Sequence, residues 1–153
     1  MTMDKNDQSL GMIDISEKSK TMRVAKAGAF VRMDSELVDM VRNNAAPKGN
    51  IIETARVAGI MAAKKTEELI PLCHNIEIDK VGLSFCFEKE GIRIESIAKT
   101  TAKTGIEMEA MIAVAIAALT VYDMLKMFNK EICIEKVLLL EKSGGKDGVY
   151  KRF

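Results

Sequence analysis

Residues Met108 to Met127 form the longest apolar run in the chain, and its only charged members are Glu109, Asp123 and Lys126. Three charges in such a run argue against a membrane span. The stretch therefore reads as a helix buried from more than one side, which demands a layer of other elements around it. The 153 residues are enough for one sizeable core. With 48% apolar and 29% charged residues, the composition is that of a globular chain and not of a disordered one.

The remaining elements supply that layer. Residues 1–12 read as a flexible polar tail without the apolar centre of a signal peptide. Asp14 to Arg23 has no clear period and leads into a short strand at Ala29–Met33. Asp34 or Ser35 caps a helix through about Asn43, and Asn44 to Gly49 is a loop. Asn50 opens a second helix, Ile51 to about Lys65, with Glu53 at capping-box spacing. From Ile78 to Phe87 the period becomes two, with Val81, Leu83, Phe85 and Phe87 facing one way. A turn at Glu90-Gly91 returns the chain as a strand from Ile92 to about Lys99. Thr104-Gly105-Ile106-Glu107 has capping-box spacing and opens the long helix, which ends near Phe128. Ile132 to Leu140 is the last strand, followed by a basic glycine-rich tail from Lys142 to Gly148. This order predicts an α+β fold: a ferredoxin-like antiparallel sheet with helices on one face, an N-terminal extension and an extra helix. Residues 13–153 would form a single catalytic domain. Val137 to Leu140 are apolar on both faces of their strand, so the second face of the sheet is expected to be buried against another subunit.

Composition also narrows the function. The formal net charge is +1, and there are two tyrosines and five phenylalanines, so neither the electrostatic footprint nor the stacking platform of a nucleic-acid binder is present. Cys73, Cys86 and Cys133 form no CxxC pair, which disfavours a zinc ribbon or disulfide framework and fits a reducing, cytoplasmic compartment. His74, the only histidine, follows Cys73 between a helix and a strand. Neighbouring side chains in extended backbone point apart, so a Cys-His nucleophile pair is disfavoured. A structural histidine and a binding residue both remain open there. Glu107 and Glu109 fall in the first turn of the long helix, where helix-dipole complementarity is the plain explanation. Glu109 has apolar neighbours and needs a partner if buried. Asp123 and Lys126 are three residues apart, the spacing of a surface ion pair. The apolar character of their helix suggests partial burial instead, where a desolvated lysine with a lowered pKa can exchange protons near neutrality. Glu109 and Asp123 are 14 residues apart. That is about 21 Å along one helix, so a shared site needs a long substrate or a second subunit. Lys48-Gly49 precedes a helix N-terminus and suits an anion, although no P-loop is present. Lys142, Lys146, Lys151 and Arg152 form either a solvated terminus or a set of phosphate-holding cations.

Several strings carry a resemblance beyond these readings. They are Met12-Ile13-Asp14-Ile15, Lys48-Gly49, Thr54 to Ile60, Leu69-Ile70-Pro71-Leu72-Cys73-His74, Lys103 to Ala110, Ala118 to Met124, and Lys142 to Lys146. From about Met12 to Gly148 the chain resembles the molybdenum cofactor biosynthesis protein C family, the cyclic pyranopterin monophosphate synthases. The resemblance implies a lyase that converts 3′,8-cyclo-7,8-dihydro-GTP to cyclic pyranopterin monophosphate and diphosphate. It implies no redox cofactor and no resident metal, and leaves open a magnesium ion beside the triphosphate. It also implies a hexamer, a trimer of dimers with active sites at dimer interfaces. The roles carried over are catalysis for Asp123, Lys126 and Lys48. Leu72, Cys73, His74, Glu107, Met108 and Glu109 would line the substrate pocket, and Arg23, Lys142 and Lys146 would bind the triphosphate. Two positions depart from the family pattern: Asn50 stands where an acidic residue is common, and Asp147 where a serine is usual. A non-catalytic nucleotide-binding module is the main rival reading, and the joint presence of Asp123 and Lys126 argues against it.

Overall fold

A computed structural model describes residues 10–153. The expected tail at 1–12 therefore lies outside the described residues except for Leu10, Gly11 and Met12, which are exposed. The elements run β1 (Thr21–Arg32), α1 (Ser35–Arg42), α2 (Ile51–Ala63), α3 (Thr66–Leu69), β2 (Lys80–Glu88), β3 (Gly91–Ala102), α4 (Glu107–Leu125), β4 (Cys133–Ser143) and β5 (Tyr150–Lys151). The strands form one sheet in the order β2-β3-β1-β4-β5, with every neighbouring pair antiparallel. This is the expected α+β, ferredoxin-like arrangement with a short fifth strand added at the β4 edge.

The core lies between the sheet and the helices. β1 turns Ala25, Ala27, Ala29 and Val31 inward, and β3 adds Ile92, Ile94 and Ala98. Each fully buried isoleucine is worth roughly 1.5–3 kcal/mol over its exposed state. Across from them α4 presents Ala110, Ala113, Val114, Ala117, Ala118 and Val121, all fully buried. Small residues on both sides let helix and strand approach closely, and Ser96 joins the layers by donating its hydroxyl to the Ala110 carbonyl at 2.7 Å. α2 packs beside α4, over β2, through Gly59, where a Cβ would lie 2.7 Å from the Ala113 carbonyl oxygen and from Leu83 Cδ2. Thus α4, although long and apolar enough to cross a membrane by composition, is the central helix of a packed core.

Three local expectations need correction. β1 begins at Thr21, not Ala29, and pairs with β3 along its whole length. Its inward face is alanine, whose weak apolar contrast hides the alternation. The Thr104–Glu107 capping box does not form: Ile106 is the N-cap of α4 without a side-chain cap hydrogen bond, and the Glu107 carboxylate folds back over Gly105 instead. The last strand extends to Ser143, three residues beyond Leu140. By contrast, the other two caps hold: Asp34 accepts from Leu37 N at 2.9 Å and Asn50 from Glu53 N at 3.0 Å. β4 is kinked by register shifts against β1, with Lys136 at φ 55°, so Leu138, Leu139 and Leu140 are each half-buried.

Candidate active site

Two groups of the expected residues lie at opposite ends of α4. The first surrounds its N-terminus. There Leu72, Cys73 and His74, on the stretch between α3 and β2, meet Glu107, Met108 and Glu109 around a cleft of about 240 Å³. Pro71 and the one-turn α3 end the helical run, and Cys73 N donates to the Ile70 carbonyl at 3.2 Å, which turns the backbone toward α4. Residues 10–20 complete the wall with Ile13, Ile15 and Lys18. A second cleft, of about 570 Å³, lies behind His74 and Glu109 and adds Lys64, Thr66, Asn75 and Asp79. His74 and Glu109 line both clefts and so stand on the partition between them.

Glu109 is the one buried charged side chain among the described residues, with 5% of its surface exposed. Burial pushes its carboxyl pKa up, and the nearby Glu107 adds to the shift. The Cys73 thiol is also raised, first by burial and then by the Glu109 charge, which disfavours the thiolate and with it a nucleophilic role. Glu107 pairs with Lys142 at 3.1 Å, so the end of β4 is tied to the cleft. Arg23 donates to the Lys103 carbonyl at 3.3 Å and to Thr21 Oγ1 at 3.0 Å. Gly144 and Gly145 sit at φ 96° and 77° against β1: a Cβ on the first would meet the Met22 carbonyl, and on the second the Arg23 guanidinium. Only glycine permits this close return of the chain. Lys146, one residue further, is exposed and lines neither cleft.

The second group sits at the C-terminal end of α4. Lys126 Nζ lies 2.7 Å from the Asp123 carboxylate, and Lys48 Nζ donates to the Asp123 carbonyl at 3.4 Å. The expected partial burial is not found within one chain, since the Lys126 and Asp123 side chains are 51% and 61% exposed. The direction of the lysine shift is reversed as well. The Asp123 hydrogen bond and charge raise the Lys126 pKa, while Lys126, and more weakly Lys48, lower that of Asp123. In this arrangement Lys126 is a protonated acid and Asp123 an ionised carboxylate.

The sequence reading did not assign Ile13, Ile15, Lys18, Lys64 or Lys103. Lys18 and Lys64 carry no spacing signal, because they reach the clefts only through the path of the N-terminal segment and the turn after α2.

Comparisons with known proteins find relatives along most of the chain. The family model described as "MoaC family" matches residues 12–145. A protein of Novosphingobium aromaticivorans named cyclic pyranopterin monophosphate synthase is 48% identical over 140 residues, covering 92% of this chain and 89% of that relative. A protein of the same name from Peptoclostridium acidaminophilum is 46% identical over 141 residues, covering 92% and 90%. The match spans every element from β1 to β4 and both ends of α4, stopping one residue short of Lys146, and the chain belongs to the MoaC family.

Proposed function

We propose that residues 13–153 form one catalytic domain that converts 3′,8-cyclo-7,8-dihydro-GTP to cyclic pyranopterin monophosphate and diphosphate, in the cytoplasm and without a redox cofactor or resident metal. The observation that carries this reading is the Asp123–Lys126 pair with Lys48 beside it, in a chain so similar along its length to proteins named as the synthase. In this reading Leu72, Cys73, His74, Met108 and Glu109 hold the purine-derived rings. Arg23, Lys142 and Lys146 take the triphosphate and stabilise charge as diphosphate leaves and the phosphate ester closes. Lys126, protonated beside Asp123, supplies a proton as the imidazole ring opens, and Lys48 offsets the charge that develops. Magnesium beside the triphosphate is compatible with these roles and required by none of them.

The two groups are too far apart on one helix to serve one substrate atom. A dimer in which the α4 C-terminus of one chain meets the α4 N-terminal cleft of another would unite them. It would also desolvate Lys126. The half-buried leucines of β4 and the exposed Val137 are consistent with an assembly larger than one chain, and we assign the trimer of dimers to it.

Incubation of the purified protein with the cyclised dihydro-GTP intermediate, with and without magnesium, tests the reading. Release of diphosphate together with the fluorescence of the oxidised pterin product is expected. Tight binding of the intermediate with no product would make the chain a non-catalytic binder, and reversion of Asn50 and Asp147 to the common residues would be the next step.

A further inference from the structure

Residues 13–18 cross the wall of the smaller cleft with very little apolar burial. Ile13 is 55% exposed, and Asp14, Ser16 and Glu17 are exposed as well. Polar contacts hold the segment instead. The Asp14 carboxylate accepts from Ser16 N at 2.8 Å and from Ser16 Oγ at 2.6 Å, which closes a tight side-chain turn. Lys18 N donates to the Ile15 carbonyl at 3.1 Å. Lys103, at the junction between β3 and α4, donates from Nζ to the Ser16 carbonyl at 3.0 Å. These links fix the position of one more group: the Ile13 carbonyl, which lies 2.8 Å from His74 Nε2.

A carbonyl oxygen only accepts, so Nε2 must carry the hydrogen. In the neutral ring Nδ1 is then the acceptor. We infer that the Asp14–Ser16 turn and its Lys103 latch form a positioning strap that holds the His74 imidazole in one orientation and one tautomer, with Nδ1 left as the acceptor for bound substrate. Neither Asp14 nor Lys103 needs to touch the substrate for this. They act through the Ile13 carbonyl, and the strap also brings Lys18 to the cleft wall. Because the strap is latched by a few exposed hydrogen bonds and not by burial, loss of one contact should loosen it without disturbing the core. The inference deepens the synthase reading and rests on it for the catalytic consequence, while the tautomer itself does not depend on that reading.

His74 is the only histidine, so ¹⁵N-labelled full-length protein gives a single imidazole spin system. Long-range ¹H–¹⁵N correlation in mildly alkaline buffer should show Nε2 protonated and Nδ1 bare. In Lys103→Met and in Asp14→Ala both nitrogens should move to the averaged shifts of a mixed-tautomer ring, while far-UV circular dichroism stays the same. Turnover of the cyclised intermediate should fall about tenfold in kcat with a smaller change in KM. Lys103→Arg should restore both the tautomer and the rate. Imidazole shifts unchanged in both loosening variants would overturn the strap. So would a rate loss that Lys103→Arg does not rescue. If instead the shifts respond as expected but the unmodified protein makes no product, the strap stands and the synthase reading falls.

Discussion

Glu109 and Asp123 are both carboxylates on α4, and their surroundings push their proton affinities in opposite directions. Burial raises Glu109, and Lys126 lowers Asp123. For Glu109 the folded state holds the proton more tightly than the unfolded chain does. Its contribution therefore favours folding below the ordinary glutamate pKa and is lost as pH rises from that value through the raised one. Glu109→Gln should remove this slope and leave the protein at least as stable near neutrality, as measured by urea denaturation across pH. A steeper loss of stability with rising pH in the variant would contradict the assignment. Lys126→Ala should fold normally and abolish turnover, and the Asp123 carboxyl should titrate at higher pH by NMR because its hydrogen-bond partner is gone. Near-normal activity in that variant would remove Lys126 from the chemistry.

At the scale of elements, the packing of α2 on α4 hinges on Gly59. The added methyl in Gly59→Ala would press on the Ala113 carbonyl and on Leu83, and backbone on one side leaves little room to yield. We expect a loss of about 1–3 kcal/mol, seen as a lower urea midpoint, despite the better helix propensity of alanine. A more stable variant would mean that the two helices separate freely. The same closeness explains why the first part of β1 carries little strand signal in the sequence. A strand that faces an alanine-rich helix uses alanines itself, and Ala25, Ala27 and Ala29 look neither β-branched nor strongly apolar. The period-two pattern of β2, with Val81, Leu83, Phe85 and Phe87 inward, was legible because those side chains are large.

For the whole molecule, the separation of the two site groups gives a test of the interfacial arrangement. His74→Ala and Lys126→Ala should each be inactive alone. Co-expressed in equal amounts, they should recover about one quarter of the normal activity, because half of the dimers are mixed and each mixed dimer holds one intact site. No recovery in mixtures shown by mass spectrometry to contain both chains would place each site within a single chain.

Much of the molecule follows from local patterns in the chain. The buried character of α4, the Asp34 and Asn50 caps, the alternation of β2 and the order of elements are short-range consequences of side-chain size and polarity. The residues of both site groups were also named from sequence, by spacing and by the strings that carry the family resemblance. What needed the tertiary structure were the relations between distant segments. Glu109 is shifted by the core that closes around it, and the Lys126 shift runs upward because the Asp123 carboxylate hydrogen-bonds to it at an exposed position. Ile13 meets His74, and Arg23 meets Gly145, only because a five-stranded sheet returns the ends of β1 and β4 to the mouth of α4. Such contacts between residues 61 and more than 100 positions apart leave no periodic trace along the chain, since they depend on how the layers close and not on what any segment prefers alone.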